Sequence, residues 1–350
     1  MTKPSAVLQS LGEAAERREV PAYLLKAAFD EMMSGQASES QIAGLLVALR
    51  VKGETVSEIV ATAQALRSAA TMAGAADPRT GDTCGTGGTG RSTFSISTTS
   101  AFVVAGAGVP VAKHGNRAMS SRTGSFDTLE ALGVNIELSI ARCAEILAEI
   151  GIAPFYARTA HPAFRHVAPV RQALGIRTLL NCMGPLLNPV GAMNQIVGVY
   201  AKELVEPLAQ ALGQLGARRA LVVHGEDGLD ELTTTASSHV AFCRGDELEV
   251  FDLNPTDLGL SLSSAEDLTG GDAGENARIC WSILEGEEGP RRDIVLLNAA
   301  GALWAADAVD GLQAGIQEAA HSIDSGAARE RLDKLVRASN RPESIQEPTE

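Results

Sequence analysis

The residues with the clearest chemical potential lie between Asp82 and Thr98. Gly85, Gly87, Gly88 and Gly90 put four glycines into six positions, and Thr86, Thr89, Ser92, Thr93, Ser95, Ser97 and Thr98 crowd the stretch with hydroxyls. Glycines spaced like this let successive backbone N–H groups converge on an anion. A helix expected over Thr93–Ala107 would turn its positive end to the same place. Ser and Thr hydroxyls donate to phosphate or ligate a hard cation. A purely structural turn with an N-cap is the alternative for these residues.

Two further groups belong to the same chemistry. Lys113-His114-Gly115-Asn116-Arg117, followed by Ser120, Ser121, Arg122, Gly124 and Ser125, gathers three cations and several donors, with a solvated basic loop as its alternative. Asp230 and Glu231 are adjacent carboxylates suited to a magnesium ion, or else an ordinary surface loop. Gly85, Gly87 and Gly90 also satisfy the dinucleotide fingerprint, which requires an acid about 20 residues on at the end of the next strand. Here that strand, Val109–Ala112, ends in Lys113 and His114, and the dehydrogenase reading fails.

These motifs need elements to hold them. Short β-type runs at Gly81–Cys84, Val109–Lys113, Ile152–Tyr156, Ile196–Tyr200 and Ala220–His224 alternate with helical segments such as Thr93–Ala107, Ser125–Leu132 and Glu203–Leu215. The pattern predicts an α/β fold with a mostly parallel sheet flanked by helices, whose ligands bind at the carboxyl ends of the strands. The first 70 or so residues are helical throughout. Pro21 opens a helix running to about Ser34, and Ser38 with Gln41, and Thr55 with Glu58, have capping-box spacing. Ile42, Leu45, Leu46 and Leu49 make one apolar stripe, fit for a bundle core or a subunit interface.

Composition bounds the rest. The 350 residues suit two domains. A formal charge of −14 at pH 7 excludes a chain that coats nucleic acid. With 45% hydrophobic and 21% charged residues the chain can build a core, which excludes disorder. The apolar runs are too short and broken to span a bilayer, and the N-terminus reads as an amphipathic helix rather than a secretory signal. The five cysteines, at 84, 143, 182, 243 and 280, lack CxxC spacing and are odd in number. They exclude a disulfide framework and a zinc site, and point to the cytoplasm. The tail 340–350 is expected to be disordered.

The paired signatures GTGG (Gly85–Gly88) and KHGNR (Lys113–Arg117), with GS-x-D-x-LEALG over Gly124–Gly133, resemble those of the anthranilate phosphoribosyltransferase family. The resemblance continues through His161-Pro162, Arg171, Leu174-Gly-Ile-Arg-Thr178, Asn181, Gly184-Pro-Leu-Leu-Asn-Pro189, Val223-His-Gly225, Gly228-Leu-Asp-Glu231, Gly271-Asp272 and Asn298-Ala299. It implies a small N-terminal helical domain, residues 1–70 with a returning segment at about 163–189. A larger α/β domain would take 74–162 and 190–339, with the active site in the cleft between them. The implied reaction moves the phosphoribosyl group of 5-phosphoribosyl-1-pyrophosphate (PRPP) to the amine of anthranilate, with release of pyrophosphate and dependence on Mg²⁺, two ions accompanying PRPP. A homodimer formed through the helical domain is also implied, with no nucleic-acid or membrane partner.

Residue by residue, the resemblance implies PRPP contacts from Gly85, Thr86, Gly87, Gly88 and Thr89 and from the hydroxyls of Thr93, Ser95, Ser97 and Thr98. Further PRPP contacts would come from Lys113, Asn116, Arg117, Ser121, Gly124 and Ser125. Anthranilate would meet Gly85, His114, Asn116, His161, Arg171 and the Gly184-Pro185 turn, with Arg171 paired to its carboxylate. Magnesium would fall to Ser97, Asp230 and Glu231, and Lys113, Asn116 and Arg171 would be the catalytic set. Thr89 and Ser95 depart from the Asp and Asn usual in the family, and Arg122 stands where Lys is common. Those departures keep open a binding relative without catalysis, and a pyrimidine-nucleoside phosphorylase is the other rival.

Overall fold

The computed structural model describes residues 5–74, 77–118 and 122–342. Its N-terminal helices begin where their caps stand. They are α1 (Ala6–Ala15), α2 (Ala22–Met33), α3 (Glu39–Lys52) and α4 (Val56–Ser68). Both expected capping boxes form: Gln41 N–H donates to Ser38 Oγ at 3.4 Å, and Glu58 N–H to Thr55 Oγ1 at 3.2 Å. The stripe Ile42, Leu45, Leu46 and Leu49 is buried. Glu58 is fully buried and has a second task. Its Oε1 accepts from Val20 N–H at 2.8 Å, while Oε2 accepts from Lys52 Nζ at 2.8 Å and Thr55 N–H at 2.9 Å. One carboxylate thus ties the chain before α2 to the end of α3 and the start of α4.

Beyond the bundle the chain alternates β1 (Gly81–Gly85), α5 (Ile96–Gly106), β2 (Val111–Gly115), α6 (Ser125–Ala131), α7 (Ile140–Ile150) and β3 (Ile152–Tyr156). The short helices α8 (Ala157–Ala160) and α9 (Ala168–Leu174) follow, then β4 (Asn194–Gly198), α10 (Val205–Gln214) and β5 (Arg219–Gly225). Two strands, β6 (Ser238–Arg244) and β7 (Glu247–Leu253), precede α11 (Ala273–Leu284), α12 (Pro290–Ala305), α13 (Leu312–Asp324) and α14 (Ala327–Ser339). The sheet order is β3-β2-β1-β4-β5-β6-β7, parallel from β3 to β5 and antiparallel at β6 and β7. The five expected strands are all present. The β6–β7 hairpin was not anticipated, although Gly245-Asp246 between two alternating runs is a hairpin signal.

The apolar core divides at the sheet. One part joins the inner faces of α5, α7 and α11–α14 to residues such as Val111, Ile196 and Leu221. The other joins α1–α4 and Val167, Val170, Leu179 and Leu180 to α10 and to the strand residues Cys84, Val197, Val222 and Ala241. Residues Val167, Val170, Leu179 and Leu180 after α8 therefore share a core with the N-terminal helices. All five cysteines are buried and free. No helix among the described residues is long and apolar enough to cross a membrane. At the start of the expected tail, the Asn340 amide donates to Gly133 O at 2.9 Å and Arg341 pairs with Glu149 at 3.0 Å. Residues 343–350 lie outside the described residues.

Replacing Glu58 by Ala takes the carboxylate from the enclosed Lys52 ammonium, which keeps only Gly53 O, and leaves two N–H groups without an acceptor. Breaking a buried pair in this way destabilises by about 3–5 kcal/mol, and Glu58→Ala should lose that much in urea unfolding. A loss within the range of a surface pair, under about 1 kcal/mol, would show that the network is slack.

Candidate active site

The carboxyl ends of β1, β2, β4 and β5 open on one side of the sheet and bring the motifs together. Gly85 and Gly198 are partners in the β1–β4 register, and the chain at Asp230 passes directly over both. A Cβ at Gly198 would fall on the Asp230 carbonyl, and one at Gly85 on the Asp230 carboxylate. This close approach explains why both strands end in glycine. Asp230 Oδ2 accepts from Gly87 N–H at 2.7 Å, so one carboxylate already occupies a donor of the Gly-rich turn. Asn298 on α12 clamps the next peptide, donating to Leu232 O at 2.8 Å and accepting from Leu232 N–H at 3.0 Å.

The carboxylate pair is half-buried at the strand ends. Burial, and then the charge of Asp230, push the Glu231 carboxyl up to about 8, against the opposing influence of Lys113 and of the Ser97 N–H in the first turn of α5. Burial also raises Asp230, with Gly87 N–H the largest opposing cause. Lys113 is 3% exposed; its ammonium donates to Thr83 O and lies 3.5 Å from Ser97 Oγ. It is an enclosed counter-charge beside the pair. Among the described residues no three or more His, Cys, Asp or Glu side chains stand together as a metal cluster. Two carboxylates beside a hydroxyl nevertheless fit Mg²⁺, which completes its shell with water and substrate phosphate.

Of the residues expected at the acceptor, His114, His161 and Gly184 meet one another. His114 Nδ1 lies 3.2 Å from Gly184 O, and His114 Nε2 lies 3.2 Å from His161 Nε2. A carbonyl only accepts, so the network assigns the His114 proton to Nδ1 and makes His161 donate from Nε2. His161 Nδ1 is then a bare buried acceptor with no hydrogen-bond partner. Burial drives His114 down to about 3 and His161 to about 4, so both rings are neutral near pH 7. Asp82, not anticipated as a site residue, holds His114 by accepting from its N–H at 3.3 Å and from Asn188 Nδ2 at 2.8 Å. Pro185 O accepts from Gln195 Nε2 at 3.0 Å, fixing the turn that Gly184 opens. Arg171, on α9, is half-buried and makes no hydrogen bond or ion pair within the described residues; burial lowers its pKa.

Several expected phosphate ligands are placed elsewhere. Thr98 is 1% exposed and faces the apolar side chains of Phe102, Leu129 and Ile152, because its position on α5 turns it into the core. Ser95 Oγ is engaged with Thr128 Oγ1 at 2.6 Å. Arg117 is not an open cation, because it forks onto Glu130 at 2.9 and 3.0 Å. The helix starts at Ile96 rather than Thr93, since Thr93 bridges Thr269 and Phe94 N–H donates to Leu268 O at 3.1 Å. Thr93 lines a separate groove of about 230 Å³ with Arg91, Asp227 and Thr235.

Other expected contacts shape the loops. Thr86 N–H donates to Gly198 O at 2.9 Å, and Thr89 Oγ1 accepts from Arg91 N–H at 3.2 Å. Asn116 is exposed, and its carbonyl accepts from Ser125 Oγ at 3.4 Å. Gly124 N–H and Ala118 N–H both donate to Asp127 Oδ2 at 2.8 Å, which folds the basic loop onto α6. Ser121 lies outside the described residues.

A helical bundle beside an α/β sheet, with a carboxylate pair at a Gly-rich turn, is the architecture of a glycosyl transferase class. The glycosyl transferase family model matches at 11–70 for its helical bundle domain and at 77–329 for its a/b domain. An anthranilate phosphoribosyltransferase of Symbiobacterium thermophilum is 50% identical over 93% of this chain and 95% of its own length. That of Rhodospirillum rubrum is 50% identical over 91% of each. The Thermus thermophilus enzyme has a TM-score of 0.91 at 40% identity, covering 95% of this chain and 99% of that one. The Saccharomyces cerevisiae enzyme in complex with PRPP and Mg has a TM-score of 0.88 at 27% identity, covering 96% and 98%. The chain belongs to the anthranilate phosphoribosyltransferase family.

Glu231 generates a pH prediction. Its folded pKa of about 8 lies above the ordinary 4.5, so the ligand-free folded chain keeps a proton that the unfolded chain releases. Its stability contribution is full below the unfolded value and lost as the pH rises through the folded one. Glu231→Gln should therefore melt above the parent, with the gap widest above about pH 8 and closing toward pH 4.5. A gap independent of pH would contradict this assignment.

Proposed function

We propose that the chain transfers the phosphoribosyl group of PRPP to the amine of anthranilate and releases pyrophosphate. The observation that carries this is the meeting of Asp230 and Glu231 with the Gly-rich turn, supported by the family to which the chain belongs. Mg²⁺ on these carboxylates, with the Ser97 hydroxyl beside them, would supply positive charge to the pyrophosphate oxygens. The turn's N–H groups beyond those of Thr86 and Gly87, which already donate to Gly198 O and Asp230 Oδ2, would hold the same oxygens as the bond to ribose C1 breaks. The ribosyl centre then develops oxocarbenium character, as at other glycosidic carbons. Catalysis comes from stabilising the departing charge and holding the amine in line.

On the acceptor side, Arg171 would take the anthranilate carboxylate through its planar fork, a geometry that Lys lacks. His161 Nδ1 would accept from the amine, while His114 fixes the tautomer that leaves that nitrogen bare. The bundle with its returning segment 163–189, and the sheet domain of 74–162 and 190–339, would close over the ribosyl centre and exclude water. A homodimer through the helical bundle, and a cytoplasmic location, complete the reading.

Two measurements test it. Protein mixed with PRPP, Mg²⁺ and anthranilate should consume anthranilate fluorescence; no turnover at saturating substrates would refute the assignment. Arg171→Ala should raise the KM for anthranilate on the order of tenfold or more, the scale of a charged hydrogen bond, with little change in that for PRPP. Equal effects on both would remove Arg171 from the acceptor side.

A further inference from the structure

One cation near the Gly-rich turn has no assigned work. Arg177 follows α9 and precedes a 3₁₀ turn at Leu179–Asn181. Its backbone is pinned, because the adjoining Thr178 N–H donates to Asn181 Oδ1 at 2.9 Å. The guanidinium carbon lies 4.1 Å above the centroid of the Tyr200 ring. Tyr200 in turn is anchored to the turn, its N–H donating to Thr86 Oγ1 at 3.0 Å. A side chain at Gly88 would stand 3.6 Å from both Nε and Nη2 of Arg177. The guanidinium therefore lies across the turn, and Asp230 feels its charge.

Its neighbours differ. Lys113 is enclosed on Thr83 O, Arg91 donates to Asp227 O, and Arg117 is forked onto Glu130. Arg177 makes no hydrogen bond or ion pair among the described residues. Stacking on Tyr200 uses only the face of the guanidinium and leaves its in-plane N–H groups free. The Nε–Nη2 edge suited to bidentate phosphate binding is the one that borders Gly88. Glycine at 88 serves twice: its φ of +76° is a left-handed conformation, and its missing side chain leaves that edge open.

We propose that Arg177, presented by Tyr200, binds the leaving pyrophosphate from the side opposite the Asp230–Glu231 pair. This rests on the reading that the chain takes PRPP. Arg177 belongs to a segment packed with the bundle, whereas Tyr200 and Gly88 stand at the sheet's strand ends. A pyrophosphate held between them bridges the two, and its departure removes that bridge.

Pyrophosphate with Mg²⁺, and separately ribose 5-phosphate, would be titrated into the parent and into Arg177→Gln and Arg177→Lys, alongside steady-state kinetics. Arg177→Gln should weaken pyrophosphate binding and raise the KM for PRPP together, on the order of 10- to 100-fold. Ribose 5-phosphate binding and the KM for anthranilate should stay within about twofold, the spread of near-neutral changes. Arg177→Lys should recover only part of the loss, because a point charge lacks the fork. Unchanged pyrophosphate affinity in Arg177→Gln, or equal weakening of ribose 5-phosphate, would overturn the assignment while parental turnover stands. A parent that neither turns over PRPP nor binds pyrophosphate overturns this proposal together with the transferase reading.

Discussion

The passage of the Asp230 main chain over Gly85 and Gly198 sets the geometry on which the rest of the site depends. Two neighbouring parallel strands must both end without a Cβ, in register, before a loop from the next strand can lie this close. Only then can the Asp230 carboxylate reach Gly87 N–H, and Glu231 enter the space between Lys113 and the start of α5. Asn298 secures the crossing from the far side by satisfying both polar groups of the Leu232 peptide, on a helix whose inner face is deep in the core. A Gly-rich turn and a metal-suited acid pair, 143 positions apart in sequence, become one site through backbone contact.

That contact has an electrostatic consequence. Two adjacent carboxylates in a desolvated position repel each other, and one buried lysine does not neutralise both, which is why burial and Asp230 push Glu231 up. The ligand-free site is therefore short of positive charge, although the turn beside it is built to attract an anion. A cation and a polyphosphate entering together resolve both imbalances, because each supplies the partner that the other needs. Either one alone leaves an uncompensated charge. The net charge of −14 describes the whole surface and is silent on this local balance.

Much of this was legible in the sequence. Glycine spacing, hydroxyl crowding, two capping boxes and the strand–helix alternation each depend on neighbours along the chain, and each reappears in the structure. The structure places residues differently from a local reading where tertiary contacts decide. Thr98 sits in a run of hydroxyls, yet its place on α5 turns it toward Phe102 and Leu129. Arg117 looked unopposed because Glu130 meets it only after the loop folds back on α6. Gly198 carried no local signal, and Asn298 stood in a matched motif without a role, since the reason for both is a chain that arrives from elsewhere. Arg177 was visible within a motif, but its stack on Tyr200 was not. The β6–β7 hairpin could have been found from its alternation and its Gly-Asp turn.

The division of the core also bears on how such a site can move. The bundle does not own a separate core: α1–α4 share theirs with α10 and with one face of the sheet. Arg67 on α4 reinforces the junction, donating to Leu186 O at 2.7 Å and to Leu215 O at 3.3 Å at the end of α10. Parting the bundle from the sheet as a whole would expose that apolar face, a large cost at about 25 cal/mol per Å². The segment between α8 and β4 is tied into the same core, with Val167, Met183, Leu186 and Leu187 buried in it and Leu186 O held by Arg67. That segment carries Arg171, Arg177 and Gly184, so the contacts proposed for acceptor and leaving group are set by the same packing that joins the bundle to the sheet.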